Sequence, residues 1–325
     1  MPRGYVLVRG ARPVRFPSSP SPWKWWLVAV VTIVGAGVVG FSWARLFGAG
    51  GWEVRVSDPR PDLADLVEEH LGDGLPVSAV RDLPAALDGT EFVQEAGPER
   101  RAAKEQTFAT LAAHTKAGVV LASSSATLLP SHIAGRNPAA DRIVVGHPFN
   151  PPELMPLVEV VPGPETSERT VLRALEVYRT LGKVPIALKK EFPGFVANRL
   201  QKVLDDQAGY LVQQGVLDVK DLDELVRASV GLRWATVGPF QSKALGGGPG
   251  GIRHLLAHAG SQPSFEAGQP DPGRGMEVVE QVERAYGVGM QAYRHLVELR
   301  DARTRAVLRP LGWPRPATAE HGTGN

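Results

Sequence analysis

The most constraining feature of this chain is a continuous apolar run, Leu27–Val34, that ends in Gly35-Ala36-Gly37-Val38-Val39-Gly40. The valines and isoleucine of the run favour extended backbone buried on both faces, as in the central strand of a parallel sheet. Three glycines in the order G-x-G-x-x-G are a weak signal by themselves. Placed between a buried strand and the start of a helix, each acquires a task. Gly35 permits the tight turn, Gly37 lets a pyrophosphate reach the backbone, and Gly40 lets helix and strand pack closely, with Val38 and Val39 in the first helical turn. The free N–H groups at that helix end suit a phosphate. About 18 residues after Gly40, Asp58 ends a second apolar stretch, Trp52–Ser57. A carboxylate there accepts hydrogen bonds from a ribose 2′-hydroxyl and repels a 2′-phosphate, so the pattern points to NAD rather than NADP. Arg60, two residues on, weakens that exclusion slightly.

A membrane reading competes for the same residues. Between Lys24 and Arg45 no residue is charged, and basic residues precede the run. Its length, about 20 residues, matches a bilayer span. The glycines and the abundance of valine favour a strand and turn over one long helix. The rest of the composition is that of a globular protein: 43% hydrophobic, 22% charged, net charge +2. Near-neutrality gives no field for nucleic acid. The absence of cysteine excludes disulfides, a thiol nucleophile and thiolate-bound metals, and fits a cytoplasmic protein. His254 and His258 have i, i+4 spacing, but Leu255 stands where a zinc protease carries glutamate, so no metal site is expected.

Strand-like and helix-like segments alternate as far as Lys190, which implies a doubly wound parallel sheet of the Rossmann type. Beyond it the pattern is almost wholly helical, with long stretches at Gly194–Gln214, Val219–Val230 and Glu277–Leu308. The expected organisation is a flexible tail at 1–22, a nucleotide-binding domain at 23–190, a smaller all-α domain at 191–312 and a second tail at 313–325.

The other chemically suggestive stretch is His147-Pro148-Phe149-Asn150-Pro151-Pro152, followed by Leu157-Val158-Glu159-Val160-Val161. His147 ends a strand on the side of the sheet where ligands bind. Histidine is the side chain best suited to exchange a proton near neutral pH, and Glu159 on the next strand is placed to orient its ring. On composition alone, a histidine beside a Pro-rich turn is more often structural than catalytic.

HPFNPPELMPLVEVVPGPETS and PGFVANRLQ resemble the 3-hydroxyacyl-CoA dehydrogenase family, over about Val30 to Leu308. GLRWATVGPF, with the His-Pro-Phe-Asn-Pro-Pro form, is most similar to the branch containing lambda-crystallin, L-gulonate 3-dehydrogenase and carnitine dehydrogenase. The resemblance implies NAD-dependent oxidation of a 3-hydroxyl and a homodimer formed through the helical domain. It implies His147 as general base, Glu159 as its partner and Asn198 as the residue orienting substrate and base. Asn150 matches the Asn of the His-x-x-Asn-Pro turn, and Glu99 and Lys104 match positions lining the cofactor site. Two departures stand out. Ala126 occupies the position of the family's substrate-binding serine, leaving Ser125 or Thr127 as substitutes. Between Asp58 and Glu95 the family's long basic helical excursion is shortened and acidic, which favours a free hydroxy acid over a coenzyme A thioester.

Overall fold

In the computed structural model, which describes residues 29–72, 74–259 and 267–311, the valine run becomes β1 (Val30–Val34). The two expected tails lie outside the described residues. The remaining strands are β2 (Glu53–Ser57), β3 (Val77–Ala79), β4 (Phe92–Glu95), β5 (Val120–Ser123), β6 (Ile143–Pro148), β7 (Leu157–Pro162) and β8 (Val184–Ala187). They form a single eight-stranded sheet in the order β3-β2-β1-β4-β5-β6-β7-β8. β1 pairs in parallel with both β2 and β4. The winding therefore reverses between β1 and β4, opening the crevice in which doubly wound folds bind ligands.

Helices α1 (Val38–Ala49), α2 (Leu63–Leu71), α3 (Leu83–Ala86), α4 (Arg101–His114), α5 (Pro130–Ala134) and α6 (Glu168–Thr180) cover the two faces. On one face Trp43 and Phe47 of α1 meet Phe92 and Tyr178. The ring centroids are 5.5 Å apart for Trp43–Tyr178 and 5.9 Å for Phe47–Phe92. On the other face Phe108, Leu111 and Ile133 pack over Val93, Leu121 and Val145. Every residue of β4, β5 and β6 is buried, including the polar Gln94, Glu95, Ser123 and His147, as expected of strands covered on both faces.

The described part of the supposed membrane segment is divided into strand, glycine turn and helix. No helix among the described residues is long and apolar enough to cross a membrane.

The doubly wound, mostly parallel sheet is the one expected, with one pair that departs from it: β6 and β7 run antiparallel. Only residues 149–156 join them, too few for the helical crossover that a parallel pair requires. The helix expected over Glu277–Leu308 is two helices, α12 (Gly275–Tyr286) and α13 (Met290–Leu308). Gly287 and Gly289 between them have φ of +76° and +89°, which breaks the helical backbone. The other helices after β8 are α7 (Ala197–Gln213), α8 (Val219–Val226), α9 (Leu232–Thr236), α10 (Pro239–Gly246) and α11 (Gly251–Ala259). A π-helical turn, Arg227–Gly231, joins α8 to α9. Among the described residues no strand follows β8.

Candidate active site

The glycine turn stands at the crevice. Gly35 has φ +110°, and a Cβ there would lie 2.7 Å from the Ala96 carbonyl oxygen. At Gly40 a Cβ would collide with the Gly35 carbonyl, so helix and strand pack as closely as backbone allows. At Gly37 the position a Cβ would take is open, with nothing within 4 Å. Gly37 caps α1 without a side-chain hydrogen bond, and Val38 beside it is exposed. An uncapped helix N-terminus with open space before it is what a pyrophosphate requires. Asp58 accepts hydrogen bonds from Ala36 N at 3.0 Å and Arg60 N at 3.1 Å, so it fixes the turn while standing at the end of β2. The Arg60 guanidinium pairs with Asp62 at 2.7 Å and is thereby drawn from the role of a 2′-phosphate receptor. These residues fit NAD.

The antiparallel pairing of β6 and β7 sets His147 directly opposite Glu159. His147 Nδ1 lies 2.9 Å from Glu159 Oε2, and both residues are buried, at 5% and 2% exposure. The other carboxylate oxygen accepts from the backbone N–H groups of Val196 at 3.0 Å and Ala197 at 3.1 Å, at the start of α7. Burial acts to raise the Glu159 carboxyl. The bonds from His147, Ala197 and Val196 outweigh it and hold the group below its ordinary range. An ionised Glu159 can only accept, so it fixes a proton on Nδ1, and in the neutral form of the ring the lone pair then falls on Nε2.

The imidazole packs against Phe195, with centroids 5.4 Å apart. Phe195 has φ +50°, alone among the described non-glycine residues in having positive φ. That conformation costs about 1–2 kcal/mol. It is held by burial of the ring and turns the chain so that the next two N–H groups reach Glu159.

His147 lines a cleft of ≈ 330 Å³ together with Val39, Ser124, Ala126, Asn150 and Asn198. Asn198, in the first turn of α7, donates from Nδ2 to the Ala126 carbonyl at 3.1 Å. The loop carrying Asn150 is tied down by Glu153, which bonds Ser42 and Arg45 of α1, and by Lys183, which donates to the Pro152 and Met155 carbonyls. Burial lowers Lys183 to about 7, only partly opposed by Glu153.

His147, Asn198, Asn150 and Val39 are thus brought together in one cleft, with Glu159 bonded to His147 and with Val39 in the first turn of α1, next to the glycine turn. Lys104, Glu99, Ser125 and Thr127 are placed differently. Lys104 is 2% exposed, grips both oxygens of Glu95 at 2.8 Å and lies 3.4 Å from Glu99. Glu99 accepts from the Ser125 hydroxyl and from Thr127 N and Oγ1 at 3.0 and 2.9 Å. Burial pushes Glu99 up, but these bonds and Lys104 hold it down at about 2. Both hydroxyls expected to replace the one missing at position 126 are therefore engaged by Glu99, and neither residue lines the cleft.

Sequence reasoning also missed Glu95, which the backbone N–H of Gly97, the Ser123 hydroxyl and Lys104 all contact. An acid at the end of a buried strand, nine positions before a lysine on a helix, was the available signal. The side chain of His258 lies outside the described residues.

A dinucleotide crevice beside a histidine–carboxylate pair defines the class: an NAD-dependent dehydrogenase. The chain belongs to the 3-hydroxyacyl-CoA dehydrogenase family. Residues 30–192 match that family's NAD-binding domain and 194–290 its C-terminal domain. It is 42% identical over 238 residues to a 3-hydroxyacyl-CoA dehydrogenase of Gibberella moniliformis, covering 69% of this chain and 74% of that protein. It is 32% identical over 307 residues to an L-carnitine dehydrogenase of Pseudomonas aeruginosa, covering 89% of this chain and 95% of the relative. The fold is also that of 5-formyl-3-hydroxy-2-methylpyridine 4-carboxylic acid 5-dehydrogenase. That structure has a TM-score of 0.74 at 24% identity, with 88% of this chain and 99% of that chain covered.

Proposed function

We propose that this protein oxidises the 3-hydroxyl of a short free 3-hydroxy acid, with His147 as general base and Glu159 as its orienting partner. The observation that carries this reading is the 2.9 Å contact between His147 Nδ1 and Glu159 in the wall of the cleft. The bound nicotinamide supplies the hydride acceptor. His147 Nε2 takes the hydroxyl proton, and Glu159 stabilises the resulting imidazolium without taking that proton itself. Asn198, anchored on the Ala126 carbonyl, borders the substrate oxygen. Asn150 and the Pro-rich loop close the far wall of the cleft and restrict entry of water.

The preference for a free acid rests on the segment after Asp58. From Pro61 to Val80 there is no lysine or arginine, and α2 exposes Asp65, Glu68 and Glu69. Such a surface repels a phosphate-rich carrier. Carnitine dehydrogenases among the relatives act on a free hydroxy acid, whereas the Gibberella relative is named for acyl-CoA. We further propose a homodimer through the helical half, where Leu200, Trp234, Phe240 and Leu256 are exposed.

The test follows NADH absorbance with NAD and a panel of L-carnitine, L-gulonate, L-3-hydroxybutyrate and L-3-hydroxybutyryl-CoA. The expected result is higher kcat/KM on a free acid than on the thioester. A preference for the thioester would overturn the substrate class. Tight NAD binding with no turnover would favour a non-catalytic role like that of lambda-crystallin, a reading that draws on Ala126 and on the engagement of Ser125 and Thr127 by Glu99.

A further inference from the structure

With alanine at 126, and the hydroxyls of Ser125 and Thr127 turned to Glu99, a hydroxyl still reaches the cleft wall: Ser124. Its oxygen accepts from Trp43 Nε1 at 3.0 Å and from Gln94 Nε2 at 2.7 Å. An indole nitrogen can only donate. The orientation of the Gln94 amide is set from its other end, where Oε1 lies 2.7 Å from the Tyr178 hydroxyl. Tyr178 is fully buried, and burial raises its pKa, so it remains a neutral phenol whose proton requires an acceptor. Gln94 Oε1 is that acceptor, which leaves the amide nitrogen facing Ser124. Gln94 and Trp43 are themselves completely buried, so neither can exchange these partners for water.

A serine hydroxyl has two acceptor lone pairs and one proton. Both lone pairs of Ser124 are occupied by donors that cannot reverse. Its proton is thereby committed outward.

We propose that Ser124 is the hydrogen-bond donor that holds the reacting oxygen of the substrate, replacing the hydroxyl absent at position 126. The proposal rests on the dehydrogenase reading given above. The reacting oxygen gives its proton to His147 Nε2 and gains a second bond to C3 as the C3 hydrogen leaves with its electron pair for the nicotinamide. Throughout, that oxygen carries more negative charge than in the free alcohol and is best served by a neighbour that only donates. An ordinary serine can turn its own lone pair toward the substrate hydroxyl and compete with His147 for the proton. Ser124 cannot, because Trp43 and Gln94 occupy its lone pairs.

The test compares Ser124→Ala, Ser124→Thr and the double variant Ser124→Ala/Ala126→Ser with wild type and His147→Ala. L-carnitine and L-3-hydroxybutyrate are the substrates, and NAD affinity is read by fluorescence titration and folding by thermal melting. Ser124→Ala is expected to lower kcat/KM by about 10–100-fold with NAD affinity retained. Threonine keeps the donor and is expected to stay within a few-fold of wild type, and serine at 126 is expected to recover most of the loss. A fully active Ser124→Ala enzyme would overturn the assignment. So would a loss that neither threonine nor Ala126→Ser repairs, since that pattern marks Ser124 as a packing residue only. Those outcomes leave the reading of the reaction intact so long as His147→Ala is inactive. A wild type with no turnover on either substrate removes that reading and the Ser124 proposal with it.

Discussion

The two halves of this chain solve the problem of burying apolar surface differently. The sheet half encloses two continuous clusters, one around Trp43, Phe47, Phe92 and Tyr178 and one around Phe108, Leu111 and Ile133. The helical half has a described core of Val212, Val219 and Leu222 and leaves Leu232, Phe240, Leu245 and Met276 exposed. The sheet half buries most of its large apolar side chains, whereas the helical half leaves many of them exposed. The proposed active site lies at the seam, since Glu159 of the sheet accepts hydrogen bonds from the first N–H groups of α7. The sheet half thus carries the proposed base, and the start of the helical half helps to hold its carboxylate partner.

The sharpest contrast between the halves comes from matched truncations. Phe92→Ala removes a fully buried ring that contacts Phe47 and Tyr178, and is expected to destabilise the protein by about 3–5 kcal/mol in chemical denaturation. Phe240→Ala, at 78% exposure, is expected to change unfolding of the monomer by no more than about 0.5 kcal/mol. Its effect belongs in the oligomeric state, read by sedimentation. Equal destabilisation by the two changes would break the comparison.

A smaller effect concerns pH. The folded state holds Glu99 at about 2 against an ordinary 4.5, so its contribution to stability is full above that ordinary value. It is lost as pH falls from about 4.5 towards 2, because protonation breaks its bonds to Ser125 and Thr127. Glu99→Gln is therefore expected to flatten the acid limb of stability against pH. A limb of unchanged slope would show that Glu99 is not the group titrating.

The smallest effect lies in the helical half. Gly287→Ala puts a Cβ on a residue at φ +76°, 3.2 Å from the Ala292 side chain. A loss of about 1 kcal/mol is expected there, visible in local hydrogen exchange at the α12–α13 junction before it shows in global unfolding.

Much of this architecture was legible because local chemistry and tertiary role agree. β1, the glycine turn and α1 follow from valine, then glycine, then a helix-forming segment. The antiparallel turn at β7 was not legible, since a strand buried on both faces reads the same in either direction. β3 is only three residues long and carries too little pattern to announce itself. Within the site, the glycines, Asp58, His147 and Glu159 stand in motifs whose spacing carries information. Ser124 and Glu95 do not. Their roles arise from which partners occupy their lone pairs, and Trp43, Gln94, Ser123 and Lys104 meet them only after folding. Phe195 was hidden for a similar reason, because its positive φ is imposed by the surroundings and not by a glycine.

The most direct trial of the central claim is single-turnover reduction of NAD by His147→Ala, with substrate and cofactor saturating. The chemical step is predicted to slow by on the order of 10²–10⁴-fold while NAD still binds. An unchanged rate in that variant would contradict the claim, because the proton would then have left the substrate by a route that bypasses the imidazole.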